Sequence, residues 1–272
     1  MNKVALVTGA SSGIGEATAL ELLHRGFTVY GAARRLEKME PLAAAGVHVL
    51  SLDVTDESSM SHCVECVLSA EGRIDVLVNN AGYGSFGSVE DVPMDEARRQ
   101  LDVNLFGLAR MIQLVLPSMR SQHSGKIVNI ASMAGHVHMP FGAWYNATKF
   151  AVEGFSDALR LELAPFGIDV IIIEPGGINT QWGIIAADNL IKTSSEGAYR
   201  VAAKRAADKL HTAYAGKKYS DVGVVSRAIG KAVTAKHPKT RYAVGYMSKP
   251  AIFFRKFIGD RLFDKIVKRV LE

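Results

Sequence analysis

Short runs of Val, Ile and Leu alternate along this chain with longer stretches whose apolar residues return at helical spacing. Val4–Val7, Phe27–Ala32, Val47–Leu52, Ile74–Val78, Lys126–Ile130 and Ile168–Ile173 read as near-continuous apolar strands, the pattern of a parallel sheet covered on both faces. Between them, Ile14 to Leu23 has a helical apolar stripe, and Gly26 supplies a stop. Asp56–Glu71, Asp95–Ser121 and Ala143–Phe166 are long enough for crossover helices, with Asp56 and Asp95 as N-caps. Strand and helix in this alternation predict an α/β fold: a doubly wound parallel sheet flanked by helices in one domain, residues 1–247. After the sixth strand the pattern changes. Residues 181–218 form a partly helical insertion, followed by a helix over Asp221–Lys236 and a last strand, Arg241–Tyr246. Long excursions at the carboxyl end of a parallel strand usually cover a ligand crevice.

Composition narrows the class without changing the fold. A chain of 272 residues that is 48% hydrophobic can bury one large core. No apolar run approaches the ~18–20 residues of a spanning helix, and the first residues read as neither a signal peptide nor a span. Cys63 and Cys66 lie together, which fits a reducing cytosol and a cytoplasmic protein. With His62 they invite a metal reading, but no second cysteine pair completes four ligands, so no metal site is expected. The net charge is +5; residues 249–272 hold seven Lys/Arg and three Asp/Glu, +4, leaving +1 for the remainder. A nucleic-acid-binding face across the body is therefore not expected. In the tail, residues 248–272, Phe254, Ile258, Leu262, Ile266 and Val270 recur every four positions as a basic amphipathic helix. Three readings of it stand: a cap on the domain, a dimer contact, and peripheral attachment to an anionic membrane.

Chemistry enters at the strand ends. Thr8-Gly9-Ala10-Ser11-Ser12-Gly13-Ile14-Gly15 joins the first strand to the first helix. Its glycines allow a sharp turn and bring backbone N–H groups close to a pyrophosphate at a helix N-terminus. At the end of the second strand an acid would bind the ribose 2′-hydroxyl of NAD. Here Ala33 stands in that position, followed by Arg34 and Arg35. Guanidinium groups bind a 2′-phosphate through charge-assisted bonds, so NADP(H) is expected over NAD(H), with Arg34 the primary contact and Arg35 a second contact or an adenine stacking partner.

These features resemble the short-chain dehydrogenase/reductase family over residues 3 to about 182. Thr8–Gly15 matches its glycine turn, and Asp53-Val54 is similar to its adenine-contacting pair. Asn79-Asn80-Ala81-Gly82 resembles the family's Asn-Asn-Ala-Gly motif, and Asn104 its active-site Asn. Pro175-Gly176-Gly177-Ile178-Asn179-Thr180 resembles its Pro-Gly segment, whose Thr bonds the nicotinamide carboxamide. The Pro-Gly-Gly-Ile-Asn-Thr form, the Ala-Arg-Arg turn and the length are also similar to the subgroup resembling 17-beta-hydroxysteroid and retinol dehydrogenases. The family resemblance implies a Rossmann-type fold, ribose binding by Lys149, and a water held by Asn104 that links Lys149 to solvent. Assembly as a homodimer or homotetramer is expected.

Tyr145 and Lys149 stand one helical turn apart, and Ser132 follows the fifth strand. A cation within ~4–6 Å lowers a phenol's pKa, so Lys149 is expected to acidify Tyr145 as general acid/base. Ser132 would hold the substrate oxygen. Tyr214 and Lys218 repeat the spacing, but no serine follows a strand ahead of them, and they read as a surface turn. His136 and His138 read as pocket lining or solvent-exposed, and Met94, Met111 and Met119 as packing. Val137, Met139, Pro140, Phe141 and Trp182 flank the site, which favours a lipophilic carbonyl or secondary alcohol. A 3-oxoacyl-(acyl carrier protein) reductase is the nearest alternative, lacking an evident basic patch for its acidic carrier; a non-catalytic NADPH-binding regulator is more remote.

Overall fold

The computed structural model describes residues 2–216 and 218–271. Six of its strands fall on the apolar runs: β1 (Val4–Thr8), β2 (Thr28–Ala33), β3 (His48–Ser51), β4 (Val76–Asn79), β5 (Gly125–Ile130) and β6 (Ile168–Pro175). With β7 (Arg241–Val244) they form one sheet in the order β3-β2-β1-β4-β5-β6-β7, every pair parallel. Neighbouring strand residues point to opposite faces, and the core divides accordingly. Val4, Leu6, Leu77 and Ile127 pack into one cluster, and Ala5, Val7, Val78 and Val128 into the other. The first cluster is completed by α3 (Glu57–Glu71), α5 (Leu108–Ser121) and α6 (Ala143–Leu163). The second is covered by α1 (Gly13–His24) and α9 (Gly223–Thr234). The chain reverses direction across the sheet between β1 and β4, so a crevice opens beyond their carboxyl ends.

Asp56 caps α3 as expected, accepting a hydrogen bond from the Ser59 N–H at 2.9 Å. Asp95 does not cap. α4 (Met94–Leu101) starts directly after Pro93, placing Asp95 in its first turn, where a carboxylate still complements the dipole. Met94 is half-exposed at the start of α4 and belongs to no core cluster, whereas Met111 and Met119 are fully buried. The single helix expected over Asp95–Ser121 is three segments, because a π-helical stretch, Asp102–Gly107, separates α4 from α5. Gly107 lies on the Val54 backbone: a Cβ there would stand 2.3 Å from the Val54 carbonyl oxygen. A short 3-10 turn, Leu36–Met39, and α2 (Glu40–Ala44) carry the crossover from β2 to β3.

The insertion forms α7 (Trp182–Ser194) and α8 (Arg200–Ala215), packed on each other. The tail is two helices, not one: α10 (Ser248–Phe257) and α11 (Asp260–Leu271). Ile258 is extended, and the Arg255 guanidinium bridges its carbonyl at 3.0 Å and Asp260 at 2.6 Å. Gly259, a poor helix former, sits at this break. Gly107→Ala is expected to lower stability by about 1–3 kcal/mol, because neither backbone can yield to the added methyl. A urea unfolding curve indistinguishable from wild type would refute the close approach.

Candidate active site

The turn between β1 and α1 is held by the neighbouring strand end. Thr8 Oγ1 accepts the N–H groups of Asn80 and Ala81, each at 3.0 Å. Asn80 Nδ2 donates back to the carbonyls of Thr8 at 3.0 Å and Gly9 at 3.2 Å. Gly9 has φ +67, and a Cβ there would come within 2.8 Å of Ala81 Cα. At Gly15 a Cβ would meet the Gly9 carbonyl oxygen at 2.3 Å. α1 then begins with no side-chain cap from Ser12, so its first N–H groups remain available to an anion. Gly13 faces Thr180, whose Cγ2 would lie 3.5 Å from an added Cβ.

Arg34 and Arg35 are exposed at the end of β2, and Arg35 Nη2 lies 3.5 Å from Ser11 Oγ. Burial pushes the Asp53 carboxyl up, but bonds from the Thr55 hydroxyl and N–H, together with the charge of Arg34, outweigh it and hold the group below its usual value. The side chains of Val54 and Ile178 point into the core clusters. Pro175 ends β6, and Gly176 lets the chain pass the Tyr246 carbonyl, which an added Cβ would meet at 2.1 Å. Gly82 abuts Asn104, and the Trp182 N–H donates to Thr180 Oγ1 at 3.3 Å.

Ser132, Tyr145 and Lys149 come together at the end of β5. Ser132 Oγ accepts the Ala134 N–H at 3.1 Å, donates to the Pro175 carbonyl at 3.4 Å, and hydrogen-bonds the Tyr145 phenol. Lys149 is buried, with Nζ 5.8 Å from the Tyr145 ring centroid and 2.8 Å from the Ile130 carbonyl. Asn104 lies in the π-helical stretch; its Nδ2 donates to the Tyr83 carbonyl at 2.8 Å and to Thr148 Oγ1 at 3.1 Å. The charges differ from expectation. Burial pushes Tyr145 up to about 12, the Ser132 bond opposing it, and Lys149 is not among the groups that acidify it. Burial also lowers Lys149 to about 8, with the nearby Glu153 carboxylate opposing. Desolvation outweighs pair attraction here because both groups lose water while their charges stay apart.

Aromatic rings close the site. Trp182 packs on Tyr145 at 4.9 Å between centroids, and Phe86 at 5.9 Å. Tyr214 is no surface residue: α8 carries it against Gly183 of α7, and its ring lies 4.6 Å from Tyr219. Lys218 is exposed over Tyr246, so this second Tyr-Lys pair does not act together. Phe86, which packs on both Tyr145 and Trp182, has no spacing signal in the sequence that would single it out. Nor does any signal join His136, Glu153, Glu174 and Arg241. His136 Nε2 lies 2.8 Å from Glu174 and 3.6 Å from Glu153, and Arg241 Nε lies 3.1 Å from Glu153 and 3.3 Å from Glu174. Through these contacts His136 anchors the loop after Ser132 to α6 and β6. The arrangement of histidine and two acids resembles a metal-ligand set, but Arg241 already supplies a cation to both carboxylates. His138 bonds Asp264 of the tail at 3.0 Å.

Together these elements place a hydroxyl, a phenol and an ammonium beside a glycine-lined helix N-terminus, an arrangement suited to proton exchange with a substrate next to a bound dinucleotide. The chain belongs to the short chain dehydrogenase family, whose model matches residues 3–189. It is 35% identical to a probable short-chain type dehydrogenase/reductase of Helicobacter pylori, over 98% of this chain and 97% of that one. It is 34% identical to an NADPH-dependent 3-dehydrocapnine reductase of Ornithobacterium rhinotracheale, over 99% and 98%. The crystal structure of a short-chain dehydrogenase from Streptomyces avermitilis superposes with a TM-score of 0.82 at 34% identity, covering 98% and 96%. An NAD+-bound xylitol dehydrogenase does so at 0.76 and 30% identity, covering 89% and 97%. The protein is therefore an oxidoreductase-family member with the seven-stranded parallel fold of that family.

Hydrogen bonds from Glu153 and Glu174 raise His136 from 6.5 to about 9. Because the folded value is the higher one, the stabilisation is full below pH 6.5 and is lost as pH rises through about 9. Stability is expected to fall by roughly 1–3 kcal/mol across that window, and His136→Gln to remove this slope. An unchanged slope in His136→Gln, read by denaturant unfolding at each pH, would exclude the assignment.

Proposed function

We propose that this chain reduces a lipophilic ketone or aldehyde to the alcohol, using NADPH as hydride donor. The observation that carries the reading is the Ser132–Tyr145–Lys149 cluster enclosed by Phe86 and Trp182, with Met139 and Phe141 in the same apolar cluster. The chain's residues fit a dinucleotide. Gly9, Ser11, Ser12, Gly13, Ile14 and Gly15 would take the pyrophosphate, Arg34 and Arg35 the 2′-phosphate, and Asp53, Val54, Asn80, Ala81 and Gly82 the adenosine side. Pro175, Gly176, Ile178 and Thr180 would border the nicotinamide, whose bound form supplies the hydride. That the similar 3-dehydrocapnine reductase is NADPH-dependent supports the choice of cofactor.

Tyr145, fully protonated at neutral pH, donates its proton to the developing alkoxide, while Ser132 holds that oxygen in place. The Lys149 ammonium then stabilises the phenolate left behind and helps return a proton, with Asn104 holding the relay to solvent. A second reading, reduction of a carrier-bound 3-oxoacyl group, gains support from Arg200, Lys204 and Arg205 on α8, a basic surface that the charge count along the body does not reveal.

A panel of carbonyls followed at the NADPH absorbance band tests the reading. Tyr145→Phe should reduce kcat by about 10²–10⁴-fold with NADPH affinity near wild type; retained turnover would refute its role. Arg34→Glu should weaken NADPH binding by about 10- to 100-fold and leave NADH nearly unaffected. Equal losses for both dinucleotides would remove Arg34 from the 2′-phosphate.

A further inference from the structure

The positive charge of this chain is gathered in two stretches outside the sheet. Residues 181–218 hold seven Lys/Arg against three Asp/Glu, and residues 249–272 hold the same numbers, so the other 210 residues carry a net −3. α8 and α11 pack together, which brings the two basic stretches side by side. Arg200, Lys204, Arg205 and Lys218 border an open groove of about 810 Å³ along α8.

Beside this charge stand aromatic rings turned to water. Phe253, Phe254 and Phe257 are 59%, 56% and 73% exposed. They cluster, with Phe253 5.8 Å from Phe254 and 5.0 Å from Phe257 between centroids. Leu262 and Ile266, one turn apart on α11, are 56% and 44% exposed and are interleaved with Arg261 and Lys265. Among the described residues no helix is long and apolar enough to cross a membrane.

We propose that α10, α11 and the basic flank of α8 form a face that docks on an anionic lipid bilayer. A second copy of the chain would set one +4 tail against another, bringing like charges together where an interface core is normally depleted of charge. A bilayer meets both halves of the surface. Rings on a convex helix enter the boundary between headgroups and acyl chains, and the cations meet lipid phosphates. The tail also sits on the rim of the active site, where His138 bonds Asp264 and its ring lies 4.9 Å from Phe263. Docking would therefore turn the substrate entrance toward the lipid, a consequence that rests on the function proposed above.

Co-sedimentation of the full chain with two kinds of vesicle tests the docking: phosphatidylcholine alone, and an equimolar mixture of phosphatidylserine and phosphatidylcholine. Binding is expected to the mixed vesicles only, and to weaken as salt is raised. Phe253→Ser with Phe257→Ser, and separately Lys256→Glu with Arg261→Glu, should each lower vesicle affinity at least about tenfold. These side chains are exposed, so thermal unfolding and turnover of a short water-soluble ketone should stay at wild-type values. No binding to the mixed vesicles, equal binding to both kinds, or binding only to an acidic carrier protein would overturn the proposal. So would a dimer in solution that the phenylalanine variant dissociates. Soluble-ketone turnover separates the outcomes: its absence counts against the proposed function, and its presence without vesicle binding counts against docking alone.

Discussion

Burial of an ammonium one helical turn beyond a phenol is the constraint around which this structure is arranged. Lys149 is almost inaccessible to water, and such a group keeps its charge only with partners. It finds the Ile130 carbonyl at the end of β5 and Glu153 one turn further along α6. Tyr145, Lys149 and Glu153 therefore form a row at successive turns of one helix. Glu153 is in turn held by Arg241 of β7 and lies near His136, which follows Ser132 in the chain. The reacting groups are thus fixed from below by charges that reach the far edge of the sheet.

The same economy of packing shapes the crevice. β1 and β4 are paired neighbours, and beyond their last paired residues Thr8 and Gly9 are tied to Asn80 and Ala81 through four hydrogen bonds. That bonding presses the chain so close that only glycine fits at Gly9 and Gly15. The glycines of this turn are thus demanded by the backbone beside them, whatever the turn binds. Further along, Asn79, Asn129 and Ser156 link β4, β5 and α6 in a buried chain of bonds of 3.0 and 2.9 Å. Such polar side chains inside an apolar sheet are tolerable because each makes at least one hydrogen bond, although Asn79 Oδ1 is left without a partner.

What the sequence made legible was local. The glycine turn, the two arginines, Asn80 and the Ser132-Tyr145-Lys149 spacing are each contained in a short stretch at a strand end or on one helix face. Apolar periodicity found six strands because strands buried on both faces leave unbroken Val and Ile runs. It could not find the π-helical stretch around Asn104, since one added residue per turn scarcely disturbs an apolar stripe. Nor could it see the tail break at Gly259, because the four-residue repeat continues across it. Tyr214 was misread for a different reason: its position depends on how α8 folds back over α7, a tertiary event. The quartet of His136, Glu153, Glu174 and Arg241 draws on four separate elements and leaves no spacing at all. The acidity of Tyr145 was reasoned from pair attraction, whereas the loss of water decides its direction.

Trp182 and Phe86, packed on the Tyr145 ring, contribute to that loss of water. A dry site keeps the phenol protonated until a stronger base, the developing alkoxide, is presented to it, and it makes the neighbouring cation count for more once the proton has left. The most direct measurement is the pH dependence of kcat/KM for carbonyl reduction at saturating NADPH. If Lys149 must be charged to receive the phenolate, the rate should fall as pH rises through about 8. A profile that stays level until the phenol itself titrates, near 12, would contradict the account.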